Sequence, residues 1–261
     1  MERAPKRRRA WTVAALIVFA AIVLPSTASA ADTPATSPAA TTPATGADYA
    51  ETALSDENLL SRWAFVVRKA IAYGSPLKQG PKVRRLTTRT PDGTDELVLV
   101  LKQRVYPGQG TWVQVRLPMR GGGRTGWVKS SVLSNYHAVR TRLEINRHRF
   151  RATLYKNGHK IWQSRIGVGK KGVSTPAGDF YIRDKLTSTD PRGVYGPYAM
   201  GLSAYSSSLS DWPGGGVIGI HGTNQPGLIP GRISHGCIRV PNRKVRRLFK
   251  LMPPGTPVRI S

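Results

Sequence analysis

The chain has 261 residues and a formal net charge of +26, from 40 lysines and arginines against 14 acidic residues. This length leaves room for one large domain or two small ones, either of which can bury a core. The single cysteine, Cys237, excludes an internal disulfide, so its thiol is spare, intermolecular or reactive.

The first thirty residues have the pattern of a secretory signal. A basic run at residues 2–10 precedes the uncharged apolar residues 11–24, and residues 28–30 (Ala-Ser-Ala) give the small-x-small sequence that signal peptidase reads. The apolar stretch is shorter than the roughly 20 residues of a bilayer span. We therefore expect residues 1–30 to be a cleaved signal, or alternatively an N-terminal anchor, and the rest of the chain to be exported to the cell wall or a periplasm-like space.

Residues 31–50 are rich in Ala, Thr and Pro and predict a flexible linker, because they hold too little apolar surface to offset the entropy of ordering. The first thirty residues carry a net charge of +4, so the remainder still carries about +22. Its basic residues are scattered and lack a regular aromatic stacking platform, so we expect no nucleic-acid partner. In an exported protein this charge favours anionic cell-wall polymers.

Short strand patterns separated by turn residues fill residues 59–135. In residues 111–117 the alternation puts Trp112 on the face opposite Val113. The order of short strands, which ends in Gly-Trp-Val at residues 126–128, resembles that of bacterial SH3-like β-barrels. The strand-like runs are 63–73, 97–106, 111–117 and 126–128. We expect three tryptophans to be core residues rather than a ligand platform: Trp63, Trp112 and Trp127.

A second β-rich unit is predicted over residues 139–261. Residues 143–164 predict a hairpin, because Asn157-Gly158 supplies the two positive φ angles of a type I′ turn. Further strands are predicted at 179–183, 217–220 and 257–260. A single helix is predicted to begin at Pro241, since apolar residues then recur at helical spacing: Val245, Leu248, Phe249 and Met252. The predicted fold class is mainly β with one late helix.

Two of the five histidines lie within sixteen residues of Cys237. A thiol attacks a carbonyl as its thiolate, and because its free pKa is about 8.5 it needs a base such as imidazole. His221 follows an apolar strand that could aim its ring, whereas His235 is only two residues from Cys237. The residues leave this choice open. Backbone N–H groups near Gly236 could bind an oxyanion, and three N or S ligands could alternatively form a zinc site.

The surrounding sequence resembles the signature of the YkuD-type L,D-transpeptidases. His221 is followed by Gly222, a loop of about a dozen residues and then Ser-His-Gly-Cys at 234–237. The similarity extends upstream to residues 175–180 and downstream to residues 255–258. It covers residues 139–261 and implies a YkuD-type β-sandwich or barrel domain that follows the SH3-like one.

The resemblance implies that Cys237 is the nucleophile and His221 its general base. It implies that His235 and Gly236 shape the pocket and the oxyanion site and that Ser234 sets the loop. Arg239 departs from the family pattern, because many members have Asn at this position. Its guanidinium could pair with a carboxylate of the donor stem, or it could be a plain surface charge.

The implied activity is that of a cysteine L,D-transpeptidase, an acyltransferase that joins peptidoglycan stem peptides by 3→3 cross-links from tetrapeptide donors and is acylated by carbapenems. No metal or cofactor is expected. Rival interpretations are an L,D-carboxypeptidase, in which water resolves the thioester, and a sortase-like transpeptidase, although sortases place Thr around the thiol. A non-enzymatic wall-binding module would account for the linker, the first β-unit and the charge, but not for residues 139–261.

Overall fold

The computed structural model describes residues 48–209 and 215–261. Within these residues the protein is mainly β with one α-helix, which confirms the predicted fold class. The predicted signal (1–30) and all but the last three residues of the predicted linker (31–50) lie outside the described residues. No helix of the described part is long and apolar enough to cross a membrane.

In the described chain, eight antiparallel strands form a first sheet. They are β1 (Ala50–Ala53), β2 (Ser61–Phe65), β3 (Ala70–Tyr73), β4 (Lys82–Leu86), β5 (Leu97–Tyr106), β6 (Gly110–Arg116), β7 (Thr125–Lys129) and β8 (His137–Val139). Their order is β4-β3-β7-β6-β5-β2-β8, and β1 also pairs with β5. The run predicted at residues 63–73 is two strands rather than one, because residues 67–69 between β2 and β3 are exposed to solvent. The SH3-like assignment and the residue boundaries of the domains stay predictions.

The side chains of β6 divide between two packing clusters, as their alternation predicts. Val113 and Val115 lie in the aliphatic core of the first sheet, whereas Trp112 packs with Tyr106 and Trp127 in a separate aromatic cluster. Trp63 belongs to neither cluster. It is buried where the first sheet meets the second, so it is a core residue of the junction between the two sheets.

In the described chain, ten strands form a second sheet. They are β9 (Thr141–Asn146), β10 (Arg151–Lys156), β11 (His159–Arg165), β12 (Gly167–Gly169), β13 (Gly178–Thr187), β14 (Tyr198–Tyr205), β15 (Val217–His221), β16 (Gly231–Ser234), β17 (Ile238–Arg239) and β18 (Pro257–Ile260). Their order is β11-β10-β9-β18-β13-β14-β15-β17-β12-β16. Asn157 and Gly158 have φ angles of 50° and 79°, which confirms the predicted turn between β10 and β11.

The helix α1 (Asn242–Leu251) packs on one face of the second sheet. Pro241 precedes it as the N-cap rather than opening it as the first helical residue. Val245 and Leu248 are fully buried in the core that also contains apolar side chains of nine strands of this sheet. Short 3₁₀ turns in the described chain lie at Pro76–Lys78, Ser130–Val132 and Pro226–Leu228. Because the core occupies this face, the opposite face of the central strands is left for the site.

Three buried polar side chains join β13 to the first β-unit: Tyr181 and Arg183 on β13, and Glu96 just before β5. The Tyr181 hydroxyl donates to the Leu97 carbonyl at 3.1 Å. The Arg183 guanidinium pairs with both carboxylate oxygens of Glu96, with Nε at 2.7 Å from Oε1, and both side chains are almost fully buried. Gly255 completes this junction, because a Cβ there would collide with the Trp63 ring. The two sheets therefore pack through specific contacts.

Candidate active site

Cys237 lies immediately before β17, beside the end of β15. The two strands are parallel, with Ile220 opposite Ile238 and His221 opposite Arg239. Since the isoleucines enter the core, the alternation along each strand turns His221 and Arg239 to the opposite face. Cys237 is a free, partly exposed cysteine on that side, and its Sγ accepts a hydrogen bond from the Gly219 N–H at 3.4 Å.

The loop before the thiol is fixed by hydrogen bonds and one glycine. The Ser234 hydroxyl donates to the Cys237 carbonyl at 2.6 Å and accepts from the Gly236 N–H at 3.1 Å. Gly236 has a φ of +122°, and a Cβ there would lie 2.8 Å from Ile218 Cδ1, so only glycine suits this position. The Thr175 hydroxyl donates to the Gly236 carbonyl at 2.7 Å. These contacts hold the thiol at a defined position.

His221 is 5% exposed, and its ring is oriented by its neighbours. Nδ1 lies 2.6 Å from the Gly222 carbonyl, a contact that assigns the ring proton to Nδ1 and leaves Nε2 as an acceptor. The Tyr195 ring meets the imidazole edge-to-face, with centroids 4.9 Å apart. Burial lowers the pKa of His221 to about 4, and the charge of Arg239 acts in the same direction, while the Gly222 contact opposes them. The imidazole is therefore neutral at pH 7.

The thiol is protonated in the same resting state. Burial raises the pKa of Cys237 above its ordinary value, although the Gly219 N–H and the charge of Arg239 act in the opposite direction. A neutral thiol and a neutral imidazole are the protonation states that general-base catalysis would use, in which the proton moves during attack. The arrangement differs from a preformed thiolate–imidazolium ion pair.

Two cavities meet at these two side chains and share Tyr195, Val217, His221 and Cys237. The first, which we call the Arg239 cavity, has a volume of about 270 Å³, and the second, the Asp184 cavity, has about 340 Å³. The remaining lining residues of the Arg239 cavity are Val194, Ser206, Leu209, Gly216, Ile218, Ser234, His235 and Arg239. Those of the Asp184 cavity are Asp92, Asp184, Leu186, Ser188, Ala199, Met200, Gly201 and Gly219.

All six predicted site residues lie in this region. Cys237, Ser234, His235 and Arg239 line the Arg239 cavity, and Gly236 supports its floor. His235 is exposed, in contrast to the buried His221. The Arg239 guanidinium donates from Nη1 to Gln225 Oε1 at 3.3 Å, while its buried Nε has no hydrogen-bond partner among the described residues.

The comparison with known proteins agrees with this geometry. Residues 140–260 match the family model of the L,D-transpeptidase catalytic domain, YkuD. Over 109 residues the chain is 37% identical to the YkuD protein of Bacillus subtilis, a match that covers 42% of this chain and 58% of that relative. Residues 140–260 are thus similar to the L,D-transpeptidase catalytic domain of the YkuD family, and we refer to them as the YkuD domain. The YkuD protein of Bacillus licheniformis is similar at 36% identity over 108 residues, covering 41% of this chain and 58% of that protein.

The chain thus spans less than two thirds of the curated relatives that its YkuD domain matches. Among solved structures, the catalytic domain of an E. faecium L,D-transpeptidase is 29% identical, with 46% of this chain and 96% of that chain covered. Its TM-score is 0.34, so the family assignment rests on the family model and the curated relatives. No group of three or more His, Cys, Asp or Glu side chains that could hold a metal ion is found in the described part of the chain.

The first sheet supplies groups to the YkuD domain that its motif does not indicate. Arg120 donates from Nε to the Ser206 carbonyl at 2.8 Å and from Nη2 to the Leu209 carbonyl at 2.7 Å, and both acceptor residues line the Arg239 cavity. Asp92, in the turn before β5, lines the Asp184 cavity. Sequence reasoning missed these groups, as it missed Tyr195 and Asp184, because each comes into the site only through long-range packing.

Proposed function

We propose that the chain is a cysteine L,D-transpeptidase of the cell envelope that forms 3→3 peptidoglycan cross-links from tetrapeptide donor stems. The observation that carries the proposal is that Cys237 and the buried, neutral His221 line a wall shared by two cavities, inside a domain similar to that of the YkuD family. Two cavities that meet at the thiol give each of the two stem peptides of an acyl transfer a space of its own.

In the first half-reaction, His221 Nε2 accepts the thiol proton as Sγ attacks the carbonyl carbon that precedes the terminal D-residue. A C–S bond forms and the carbonyl oxygen becomes an oxyanion. The Gly236 N–H already donates to Ser234 Oγ, so the Cys237 N–H is the candidate oxyanion donor. The C–N bond then breaks, and the leaving amine of the D-residue takes the proton from His221. A thioester on Cys237 and a free D-residue result.

In the second half-reaction, the neutral side-chain amine of a second stem attacks the thioester carbon. The new C–N bond forms, the C–S bond breaks, and one amine proton passes through His221 to Sγ, which restores the resting thiol. If water attacks instead, the product is that of an L,D-carboxypeptidase. Arg239 supports the donor half, since it lines the Arg239 cavity and a guanidinium suits the terminal carboxylate of a tetrapeptide.

Product analysis by mass spectrometry tests this proposal. We expect the purified protein to convert two tetrapeptide stems to a cross-linked product that lacks one terminal D-residue. We expect Cys237→Ala to give neither this product nor a free tripeptide. Product formation by Cys237→Ala, or no reaction of either kind by the unaltered protein, would contradict the proposal.

The cell-envelope location and the affinity for anionic wall polymers are part of the same proposal. They are supported by the signal pattern of residues 1–30 and by the charge of about +22 on the rest of the chain. We expect the protein to sediment with purified sacculi at low salt and to be released as ionic strength rises, because exposed charges are screened. Sedimentation that does not depend on salt, or no sedimentation at all, would show that charge does not bind the protein to sacculi.

A further inference from the structure

The Asp184 cavity contains a buried carboxylate that forms no ion pair with a described residue. Asp184 is 5% exposed, and Oδ1 accepts a hydrogen bond from the Gly201 N–H at 2.9 Å. Within residues 48–209 and 215–261, Oδ2 has no hydrogen-bond partner and the side chain forms no ion pair. The adjacent Arg183 pairs with Glu96 instead. A buried carboxylate in this state is costly, so its presence in a cavity indicates a cationic ligand.

A bulge in β13 turns Asp184 toward the site. Ile182 pairs with Leu202 in the core, but the next pairing is Asp184 with Gly201, so Arg183 is an extra residue on β13. Without it, alternation would place Asp184 on the core face with Ile182. With it, Arg183 and Asp184 both lie on the face opposite the core, as bulges next to active sites commonly arrange.

The register across three strands connects this carboxylate to the thiol. Asp184 pairs with Gly201, Gly201 pairs with Gly219, and the Gly219 N–H donates to Cys237 Sγ. Paired residues share a face of the sheet, and the Asp184 carboxylate lies over Gly201, because a Cβ on Gly201 would be 2.3 Å from Asp184 Oδ1. The carboxylate is therefore about one strand spacing, roughly 5 Å, from Gly219, which has no side chain. A primary ammonium bound to Asp184 would thus be held close to Cys237.

A second acid lies on the same cavity. Asp92 is exposed in a turn of the first β-unit that is closed by hydrogen bonds between Thr90 and Thr94. Burial raises the pKa of Asp184, the Gly201 N–H and the charge of Arg183 oppose this, and the charges of Asp92 and Glu96 raise it further. The chain has only 14 acidic residues against 40 basic ones. Two acids on one cavity beside the thiol are therefore opposite in sign to the net charge of the chain.

We propose that the Asp184 cavity is the acceptor subsite, in which Asp184, assisted by Asp92 from the first β-unit, binds the primary ammonium of the incoming stem side chain. This inference rests on the proposed function. The acceptor amine is protonated at neutral pH, with a pKa of about 10.4, so it is attracted to the two acids and repelled by Arg239. Transfer of one ammonium proton to the Asp184 carboxylate then gives the neutral amine that attacks the thioester carbon. The donor carboxylate has the opposite preference. The charges of the two cavities therefore assign each stem to its side of Cys237.

The ratio of amine capture to thioester hydrolysis tests the assignment. The full chain is given a tetrapeptide donor and Nα-acetyl-lysine amide as acceptor, and the amide product and the free tripeptide are quantified by mass spectrometry. We expect Asp184→Asn to lower this ratio about tenfold to a hundredfold, since a charged hydrogen bond is lost while Asn keeps an acceptor for Gly201. We expect Asp92→Asn to lower it less.

Asp95→Asn is the matched control. Asp95 lies three residues from Asp92, pairs with the exposed Arg89 and does not line the cavity, so the same change of charge there should leave the ratio unchanged. An unchanged ratio in Asp184→Asn would overturn the assignment. An equal fall in Asp95→Asn would overturn it as well, because the effect would then be one of general charge.

A binding measurement is independent of catalysis. In calorimetry with the Cys237→Ala protein, we expect Nα-acetyl-lysine amide to bind and its uncharged Nε-acetylated form not to bind. Asp184→Asn in that background should weaken the amine at least about tenfold. Equal binding of the two probes would overturn the inference. If the unaltered protein forms no thioester, the proposed function fails, while this measurement still decides whether the cavity binds an ammonium.

Discussion

The Arg239 cavity and the Asp184 cavity share their catalytic wall but differ in charge and in origin. The described lining of the Arg239 cavity comes from the YkuD domain, and its charged group among these residues is the guanidinium of Arg239. The Asp184 cavity has two carboxylates, and one of them, Asp92, comes from the first β-unit. Under the proposed function, this difference would let one thiol serve two substrates in sequence, because each cavity would select the charged end that the other repels.

The largest effect on activity is expected from a change to the shared wall. His221→Gln removes the base for both half-reactions, so kcat/KM for cross-linking and for hydrolysis should each fall about 10²- to 10⁴-fold. Assays stopped at fixed times, with both products quantified by mass spectrometry, measure the two kcat/KM values. If only one product were lost, the wall would not be shared as the structure indicates.

The pH profile of the unaltered protein tests whether His221 is the general base. Because the pKa of His221 is lowered to about 4, the base is already neutral well below pH 7. Thioester formation should therefore stay constant as pH falls from 7 toward 5 and decline only as it approaches 4. A decline centred near the ordinary histidine value of about 6.5 would show that a different or more exposed histidine is the base.

A change at the junction of the two sheets should mainly affect the Asp184 cavity. Glu96→Gln leaves the buried Arg183 charge unpaired, which should lower the free energy of unfolding by about 3–5 kcal/mol. Denaturant titration measures this loss. Below the unfolding transition, amine capture should suffer more than acylation, because the first β-unit carries Asp92. Equal losses in both would mean that the junction supports the two cavities alike.

Substitution of Arg239 should affect the opposite cavity. Arg239→Gln should raise KM for the tetrapeptide donor about tenfold, whereas the amine dependence of the second step should change little. Arg239→Lys should recover part of the loss, since it keeps the charge but not the bidentate geometry. Steady-state kinetics with donor and amine varied separately make the distinction. If KM for the donor and the amine dependence of the second step changed equally, Arg239 would not act on the donor side alone.

The smallest effect is expected at Arg120, which holds two carbonyls of the Arg239 cavity. Arg120→Ala should lower kcat/KM for the donor several-fold, in line with the loss of about 1–2 kcal/mol from charge-assisted hydrogen bonds. Arg124→Ala, four residues away and without these contacts, is the matched control. If both variants behaved alike, the first β-unit would not position this cavity.

Local patterns predicted much of the fold and the motif. The Asn157-Gly158 turn, the strand at residues 97–106 and the final strand at 257–260 follow from turn chemistry and apolar runs, and each is confirmed. The sequence Ser-His-Gly-Cys at residues 234–237 was enough to predict the loop that carries the thiol. These features depend on neighbours in sequence, so sequence reasoning could find them.

The Asp184 cavity was not predictable in this way. Strict alternation from Ile182 would have placed Asp184 in the core, and only the bulge at Arg183 reverses it. The pair between Glu96 and Arg183 joins residues 87 positions apart, and neither has a local signal for the other. The packing of two sheets, rather than any motif, brings Asp92 to the site.

Intact-mass spectrometry with a carbapenem tests whether Cys237 forms a thioester with an acyl donor. The unaltered protein should gain the mass of one inhibitor molecule, and the Cys237→Ala protein should gain none. An adduct that persists in Cys237→Ala, or none on the unaltered protein, would contradict this role of Cys237.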